Sequence, residues 1–381
     1  MSDQIIGIDA FNISSGGGLT HLREILTAIQ DDDPRIKYII VWGSKNLLAA
    51  LDERTFLNKV HISTLDRGLF MRLLWHIFRS KKVAKQAGCH VLYLPGGTDL
   101  SGFTPSVTMS RNMLPFEALE IARYRSILKR LKYHLLRVAW KISYRQTDGL
   151  IFLTKYAKCV ISKASTRLPR NVAVIPHGVD SALFSSDQDR EDEIFSFDRP
   201  CKIVYVSIIN PYKHHQNVVD AVALLREQGY PVTLDLIGPP GESFNSLITS
   251  IQAIDPQNEF ISYTGFLDHN SLQSRYKSAD IGVFASTCEN MPNILLEMMA
   301  SGLPIASSNF GPMPEVIGDI GEFFNPLDID DIHDSLEELI NNSEKRLMFG
   351  SINNQKAAKF TWRKCADDTL DFLLDIQSNC N

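Results

Sequence analysis

Residues 201–227 read CKIVYVSIINPYKHHQNVVDAVALLRE: an apolar, β-branched run, a polar turn holding Pro211, then an amphipathic stretch from 217 to 227. The first seven residues suit a buried strand, and the last eleven return apolar residues at helical spacing. A strand that passes through a short turn into a helix is half of a parallel crossover unit. The alternation extends in both directions. Further strands are expected at 232–237, 260–263, 281–284, 304–307 and 322–324, with helices at 294–300 and 331–340. Ahead of the quoted unit, strands are expected at 4–9, 37–42, 60–63, 90–94, 107–110, 149–153 and 172–175, the first followed by a helix over 19–30. Two such series predict an α/β protein with two wound parallel sheets, each covered by helices on both faces.

A chain of 381 residues suits two domains rather than one core. The polar, acidic stretch 185–200 is the expected linker, so the domains are set at 1–190 and 191–360, with an amphipathic segment over 361–381 that carries Trp362 near its start. Ligands of open α/β sheets bind at the carboxyl ends of the strands, so a site shared by the two domains is the default expectation.

At 44% hydrophobic and 22% charged residues the composition is that of a soluble globular protein, which argues against disorder, collagen and coiled coil. No apolar run approaches the ~18–20 residues that span a bilayer. Asp3 and Asp9 near the start, without a basic region, argue against a cleaved signal peptide. The 6 cysteines are scattered, with no CxxC, which points to reduced thiols in the cytoplasm. The net charge of −5 hides an asymmetry: 27 Lys+Arg against 16 Asp+Glu in residues 1–190 (+11), and 12 against 28 in residues 191–381 (−16). Two domains with different partners are implied.

Several stretches carry chemistry. Ser14-Ser15-Gly16-Gly17-Gly18, ahead of the helix holding His21, lets backbone N–H groups converge at a helix N-terminus, which suits a phosphate or sugar oxygen. It meets neither GxGxxG nor GK[ST], and a flexible turn is the plain alternative. In Asn210-Pro211-Tyr212-Lys213-His214-His215, Asn210 is expected to cap the helix, Pro211 to sit in its first turn and Lys213 to lie beside its N-terminus, a location for a diphosphate. A solvated basic helix start is the alternative, and neighbouring histidines diverge on a helix, against a shared metal. Pro292 is expected to begin a helix, placing Glu289 in the loop before it and Glu297 inside it, ~12 Å apart at 1.5 Å per residue. That separation is too long for a retaining glycosidase pair but suits one extended ligand. Glu297 lies among Ile294, Leu295, Leu296, Met298 and Met299, where a glutamate needs a partner. The Asp-x-Asp triplets at 31–33, 187–189 and 328–330 fall in polar loops or helix starts and are read as solvated charge, so no metal is expected.

Residues 121–145 hold Arg123, Arg125, Lys129, Arg130, Lys132, Arg137, Lys141 and Arg145 without an acid, interleaved with Ile127, Leu128, Leu131, Leu135, Val138, Trp140 and Ile142. Residues 67–85 add six cations, again without an acid, around Leu69, Phe70, Leu73, Leu74, Trp75 and Phe78. Helices of this kind suit anionic lipid headgroups; the alternative turns the apolar residues to the core and the cations to water. No nucleic-acid module accompanies the charge, and nucleic acid is not expected as a partner.

Glu289-x7-Glu297, followed by Ser301-Gly302-Leu303-Pro304 and Gly311-Pro312-Met313-Pro314-Glu315-Val316, resembles the retaining "family four" glycosyltransferases (glycosyltransferase group 1) of the GT-B fold, in their bacterial surface-polysaccharide type. The Gly-rich turn with His21, His177-Gly178-Val179-Asp180 with Phe184, Thr264-Gly265-Phe266, Tyr276-Lys277-Ser278-Ala279-Asp280 and Thr361-Trp362 complete the ordered series. The resemblance implies two Rossmann-like domains facing each other across a donor/acceptor cleft, the second binding a nucleotide-sugar and the first the acceptor, with a C-terminal helix over 361–381 crossing back to the first domain. It implies Glu289, Lys213 and Arg111 or Asn112 as catalytic residues. Donor binding falls to Gly17, Gly18, Asn210, Lys213, Gly265, Met291, Asn293 and Glu297, with Glu297 on the ribose hydroxyls and Lys213 on the diphosphate. Three departures stand out: Ile208 replaces a diphosphate arginine, Arg111 or Asn112 stands where relatives carry a histidine, and Pro292 removes a backbone donor near the sugar.

The expected activity is a retaining, metal-independent hexosyltransferase working in O-antigen- or capsule-like lipopolysaccharide and surface-polysaccharide biosynthesis. Its donor is GDP-mannose or a UDP-linked hexose or N-acetylhexosamine, with no other cofactor. Its acceptor is a polyprenyl-diphosphate-linked glycan at the inner face of the cytoplasmic membrane, met peripherally through the basic helices 67–85 and 121–145. A sugar-nucleotide epimerase of the same fold and a non-catalytic scaffold are the alternatives.

Overall fold

The computed structural model describes residues 4–14, 16–165, 167–183 and 194–380. The chain divides into two units, Met1–Phe116 with Leu128–Gly178 and Thr361–Asn381, and Glu117–Ile127 with Val179–Phe360. In the first unit β1 (Ile5–Asp9), β2 (Tyr38–Gly43), β3 (Leu57–His61), β4 (Val91–Leu94), β5 (Ser106–Met109), β6 (Gly149–Phe152) and β7 (Asn171–Val174) form a parallel sheet in the order β3-β2-β1-β4-β5-β6-β7. In the second, β8 (Cys201–Val206), β9 (Val232–Ile237), β10 (Ile261–Gly265), β11 (Ile281–Phe284), β12 (Ile305–Ser308) and β13 (Glu322–Phe324) run parallel in the order β10-β9-β8-β11-β12-β13. Every expected strand is present, because strands covered on both faces are continuous apolar runs. Trp42, Tyr93 and Phe152 fill the first core, and Tyr205, Tyr276 and Phe284 the second, all under 3% exposed.

In each sheet the strand order reverses beside the first strand, so β1 lies between β2 and β4, and β8 between β9 and β11. At such a reversal the connections leave towards opposite faces and open a crevice at the carboxyl ends of the strands. The loops after β1, β4 and β5 frame one crevice, and those after β8 and β11 the other.

Sequence and structure part in three places. The chain passes from the first unit to the second between Gly178 and Val179, ahead of the stretch 185–200, of which 185–193 lies outside the described residues. The basic stretch 121–145 is not one helix: a short helix ends at Ala122, another runs Ile127–Gln146, and residues 117–127 group with the second unit. Residues 69–86 are helical throughout but pass through a π-turn, His76–Ser80. The buried Asp9 carboxylate, at the end of β1, accepts hydrogen bonds from His76 Nδ1 (2.7 Å) and Ser80 Oγ (2.5 Å) on that turn. The Trp362–Cys380 helix belongs to the first unit, where Arg35 binds Asp33, Asp367 and Asp371 at 2.5–2.8 Å.

Candidate functional site

After β8 the chain makes a single 3-10 turn, Pro211–Lys213, and enters the His215–Glu227 helix through His214 in the left-handed conformation (φ 49°). Asn210 therefore does not cap the helix as the sequence suggested: its Oδ1 accepts the Glu242 N–H at 3.2 Å. The left-handed step costs a residue with a Cβ roughly 1–2 kcal/mol, and local bonds hold it. His214 Nε2 meets Thr287 Oγ1 at 3.0 Å, and the Tyr205 hydroxyl donates to the Lys213 carbonyl at 2.5 Å. The Thr287 N–H donates to the Tyr212 carbonyl at 2.9 Å, joining the loop after β11 to the loop after β8.

That join sets Lys213 against Glu289. The two side chains form an ion pair, with Lys213 Nζ 5.0 Å from the centre of the Phe284 ring and only 7% of Lys213 exposed. A cation held on a ring face at the end of a parallel strand is fixed in position, and the carboxylate offsets the cost of burying it. His214 and His215 are neutral, pushed down to about 4 and about 3 by burial, with Arg123 adding to the first and Lys213 to the second. Arg123, from the segment 117–127, is itself paired with Glu120 at 2.8 Å.

The Asn293–Ala300 helix begins one residue after Pro292, which occupies the cap position. Met291 is buried in the loop, and Asn293 Oδ1 is a buried acceptor without a partner among the described residues. Glu297 accepts from the Tyr276 hydroxyl at 3.1 Å. Burial pushes its carboxyl up to about 7, the Asp180 charge adds to this, and Tyr276 and His269 oppose it. Gly265 closes β10 with φ 82°, and its carbonyl accepts the Gly238 N–H at 2.8 Å. Tyr276 was quoted only within a motif; its bond to Glu297 spans 21 residues, and only the stranded glutamate hinted that such a partner existed.

In the first unit Gly17 and Gly18 open the Gly17–Ala28 helix after Gly16 at φ 66°. A Cβ on Gly18 would lie 2.2 Å from Arg111 Nη1, so glycine is what lets the guanidinium rest on this helix start. Arg111 Nη1 reaches the Pro95 carbonyl at 3.5 Å, its Nε is buried without a partner among the described residues, and burial lowers its pKa. Asn112 turns away: it is exposed, and its Oδ1 accepts the Leu114 N–H at 2.9 Å. His21 Nδ1 and His177 Nδ1 meet at 2.8 Å, with Trp362 ring centroids 5.9 and 5.8 Å away. Burial and the Arg111 charge hold both imidazoles neutral, His177 down to about 3. One nitrogen therefore donates and the other accepts. No sequence spacing announces this pair, whose members stand 156 residues apart.

The described Asp-x-Asp triplets serve local structure. Asp31 accepts from Arg54 and Thr55, Asp33 from Arg35, and Asp328 caps the Ile329–Asn341 helix. Among the described residues His333, Asp334 and Glu337 cluster closely enough to share a cation, but His333 already bonds Asp334 and Gln228, and Glu337 bonds Tyr230.

Residues 187–356 match the model of the family "Glycosyl transferases group 1". Sulfoquinovosyl transferase SQD2 of Arabidopsis thaliana is 26% identical over 296 residues, 70% of this chain and 56% of that protein. O-antigen chain mannosyltransferase B of Escherichia coli is 26% identical over 171 residues, 44% of this chain and 44% of that protein. The matches thus span about half the length of these curated relatives. The sucrose-phosphate synthase structure from Thermosynechococcus elongatus superposes with a TM-score of 0.73 at 16% identity, covering 96% of this chain and 97% of that one. Residues 187–356 thus resemble the group 1 glycosyl transferases, and the two parallel-sheet units are those of the GT-B fold.

Proposed function

We propose that the protein is a hexosyltransferase that moves a sugar from a nucleotide-sugar to a lipid-linked glycan, with retention at the anomeric carbon and without a metal. The Lys213–Glu289 ion pair at the carboxyl end of β8 and β11 is the observation that carries this reading. The leaving group is a nucleoside diphosphate, and stabilising its growing charge is the main task of such a site. A diphosphate beside Lys213 takes over the ammonium, and the released Glu289 carboxylate is free to accept from hydroxyls of the transferred sugar. Asn293 Oδ1 offers a further acceptor. Glu297, once ionised, presents two oxygens suited to the paired hydroxyls of a ribose.

In this reading positive charge from Lys213 and the helix start beside it takes the place of a divalent ion, so full turnover is expected in excess EDTA. The O-antigen relative supports a surface-polysaccharide role; the donor is read as GDP-mannose or a UDP-linked hexose or N-acetylhexosamine, and the acceptor as a polyprenyl-diphosphate-linked glycan at the inner face of the cytoplasmic membrane. Calorimetry with a panel of GDP- and UDP-sugars tests the reading. One nucleotide-sugar should bind, and Glu297→Ala should weaken it by roughly 1.5–3 kcal/mol, the cost of removing a charged hydrogen-bonding partner. Unchanged affinity in that variant removes the ribose role. A new sugar-nucleotide formed without any acceptor assigns an epimerase instead.

A further inference from the structure

The Ile127–Gln146 helix carries Lys129, Arg130, Lys132, Arg137, Lys141 and Arg145 and not one acid. Its inner edge is Trp140, Ser143 and Tyr144, all buried, with the Trp140 indole N–H donating to Thr98 Oγ1 at 3.1 Å. On the opposite edge Leu128, Leu131, Leu135, Val138 and Ile142 recur at spacings of three and four, one face of a helix. They are 78, 52, 62, 56 and 41% exposed. By the same geometry Lys132 borders this stripe on one side, and Lys141 and Arg145 border it on the other. The basic segment 67–85 adds Leu69, Phe70 and Phe78, exposed by 62, 70 and 72%. One loop ties the two helical segments together: the Asp99 N–H donates to Ser143 Oγ at 2.6 Å, and the next residue, Leu100, donates its N–H to His76 Nε2 at 2.9 Å.

We propose that these two helical segments form a docking face for an anionic lipid bilayer, the aliphatic stripe entering the headgroup boundary and the flanking cations meeting lipid phosphates. Large aliphatic side chains in a row on a soluble surface mark an interaction site, and charge decides what covers this one. A second copy of the chain would set Lys132 and Lys141 against like charges, with no acid on either helix between them. Nucleic acid would meet the cations and leave the aliphatic residues in water. A bilayer satisfies both. Binding is in plane, since no helix among the described residues is long and apolar enough to cross a membrane. The inference rests on the proposed lipid-linked acceptor for its purpose only, and its test needs neither donor nor acceptor.

The full chain is floated with vesicles of phosphatidylcholine alone and of phosphatidylcholine with about a third phosphatidylglycerol. Anionic vesicles should bind roughly tenfold tighter or more. Leu131→Ser with Leu135→Ser, and separately Lys132→Glu with Lys141→Glu, should each cut binding about tenfold while leaving the melting temperature and donor affinity unchanged. Equal binding to both vesicles, or wild-type binding by the leucine variant, overturns the proposal. So does a concentration-dependent dimer in ultracentrifugation that the leucine variant loses, which would assign the face to a second copy. Donor binding without vesicle binding sinks the docking face alone, and vesicle binding without binding of any nucleotide-sugar sinks the transferase reading alone.

Discussion

Both units bring a cation, half-buried in the first and buried in the second, to the carboxyl end of a parallel sheet, and they compensate it in opposite ways. In the second unit Lys213 is met by Glu289 and by the Phe284 ring. In the first, Arg111 lies on a bare glycine at a helix start, bonded to one carbonyl and with a buried Nε that no described residue satisfies. One cation is neutralised in advance and has to change partners when an anion arrives. The other pairs with no carboxylate among the described residues and, in the proposed reading, has none to give up when an anion arrives. The same contrast runs through the neighbouring titrating groups, since burial keeps His21 and His177 neutral in the first unit and favours the protonated Glu297 in the second.

The largest effect should come from the compensated cation. Lys213→Ala is expected to lower the transfer rate about 10³-fold, as loss of a preorganised charge at a leaving group does. It also strands Glu289, so Lys213→Met should be no better. A loss under tenfold in single-turnover measurements would place the leaving group elsewhere. Arg111→Ala comes next, at about 10²-fold, and Arg111→Lys should restore little, because a lysine lacks the planar fork that rests on Gly18. Full rescue by lysine would reduce Arg111 to a point charge.

Donor affinity should then tighten about tenfold between pH 6 and pH 8, as Glu297 ionises through its raised value of about 7. Glu297→Gln should bind weakly and without that slope, and a slope surviving in this variant assigns it to another group. The smallest effects concern stability, and their signs are opposed. The first unit keeps His177 neutral with a value near 3, far below that of an unfolded histidine, so its contribution is complete above about pH 6.5 and is lost as the pH falls. Glu297 is raised, so the folded second unit holds its proton longer than the unfolded chain does and is destabilised as the pH climbs from about 4.5 towards 7. Melting curves from pH 4 to 8 should show the first trend weakened in His177→Phe and the second in Glu297→Gln.

The strands were legible because strands buried on both sides are written as unbroken apolar runs, and the Glu289–Glu297 interval was legible because it is local. Three things were hidden. The 3-10 turn before the helix at His215 depends on His214 adopting a left-handed conformation, which a histidine takes only when tertiary bonds hold it. That Arg111 rather than Asn112 lies against Gly18 is a contact between residues 93 positions apart in the chain. The basic stretch 121–145 looked continuous because charge and hydrophobicity continue through Arg123–Ser126, although the helix does not.

The way the chain threads its two units bears on how it is made. The first unit is completed only by Thr361–Asn381, a segment synthesised after the whole second sheet, while the second draws Glu117–Ile127 from a part synthesised long before its sheet. Domains usually mature in the order of synthesis. Here neither half can finish early, and a nascent chain halted at residue 178 would hold an unfinished first unit and a stray piece of the second. Vectorial folding of the two units is therefore expected to wait on one late step, when the Trp362 helix closes on the sheet that holds β1.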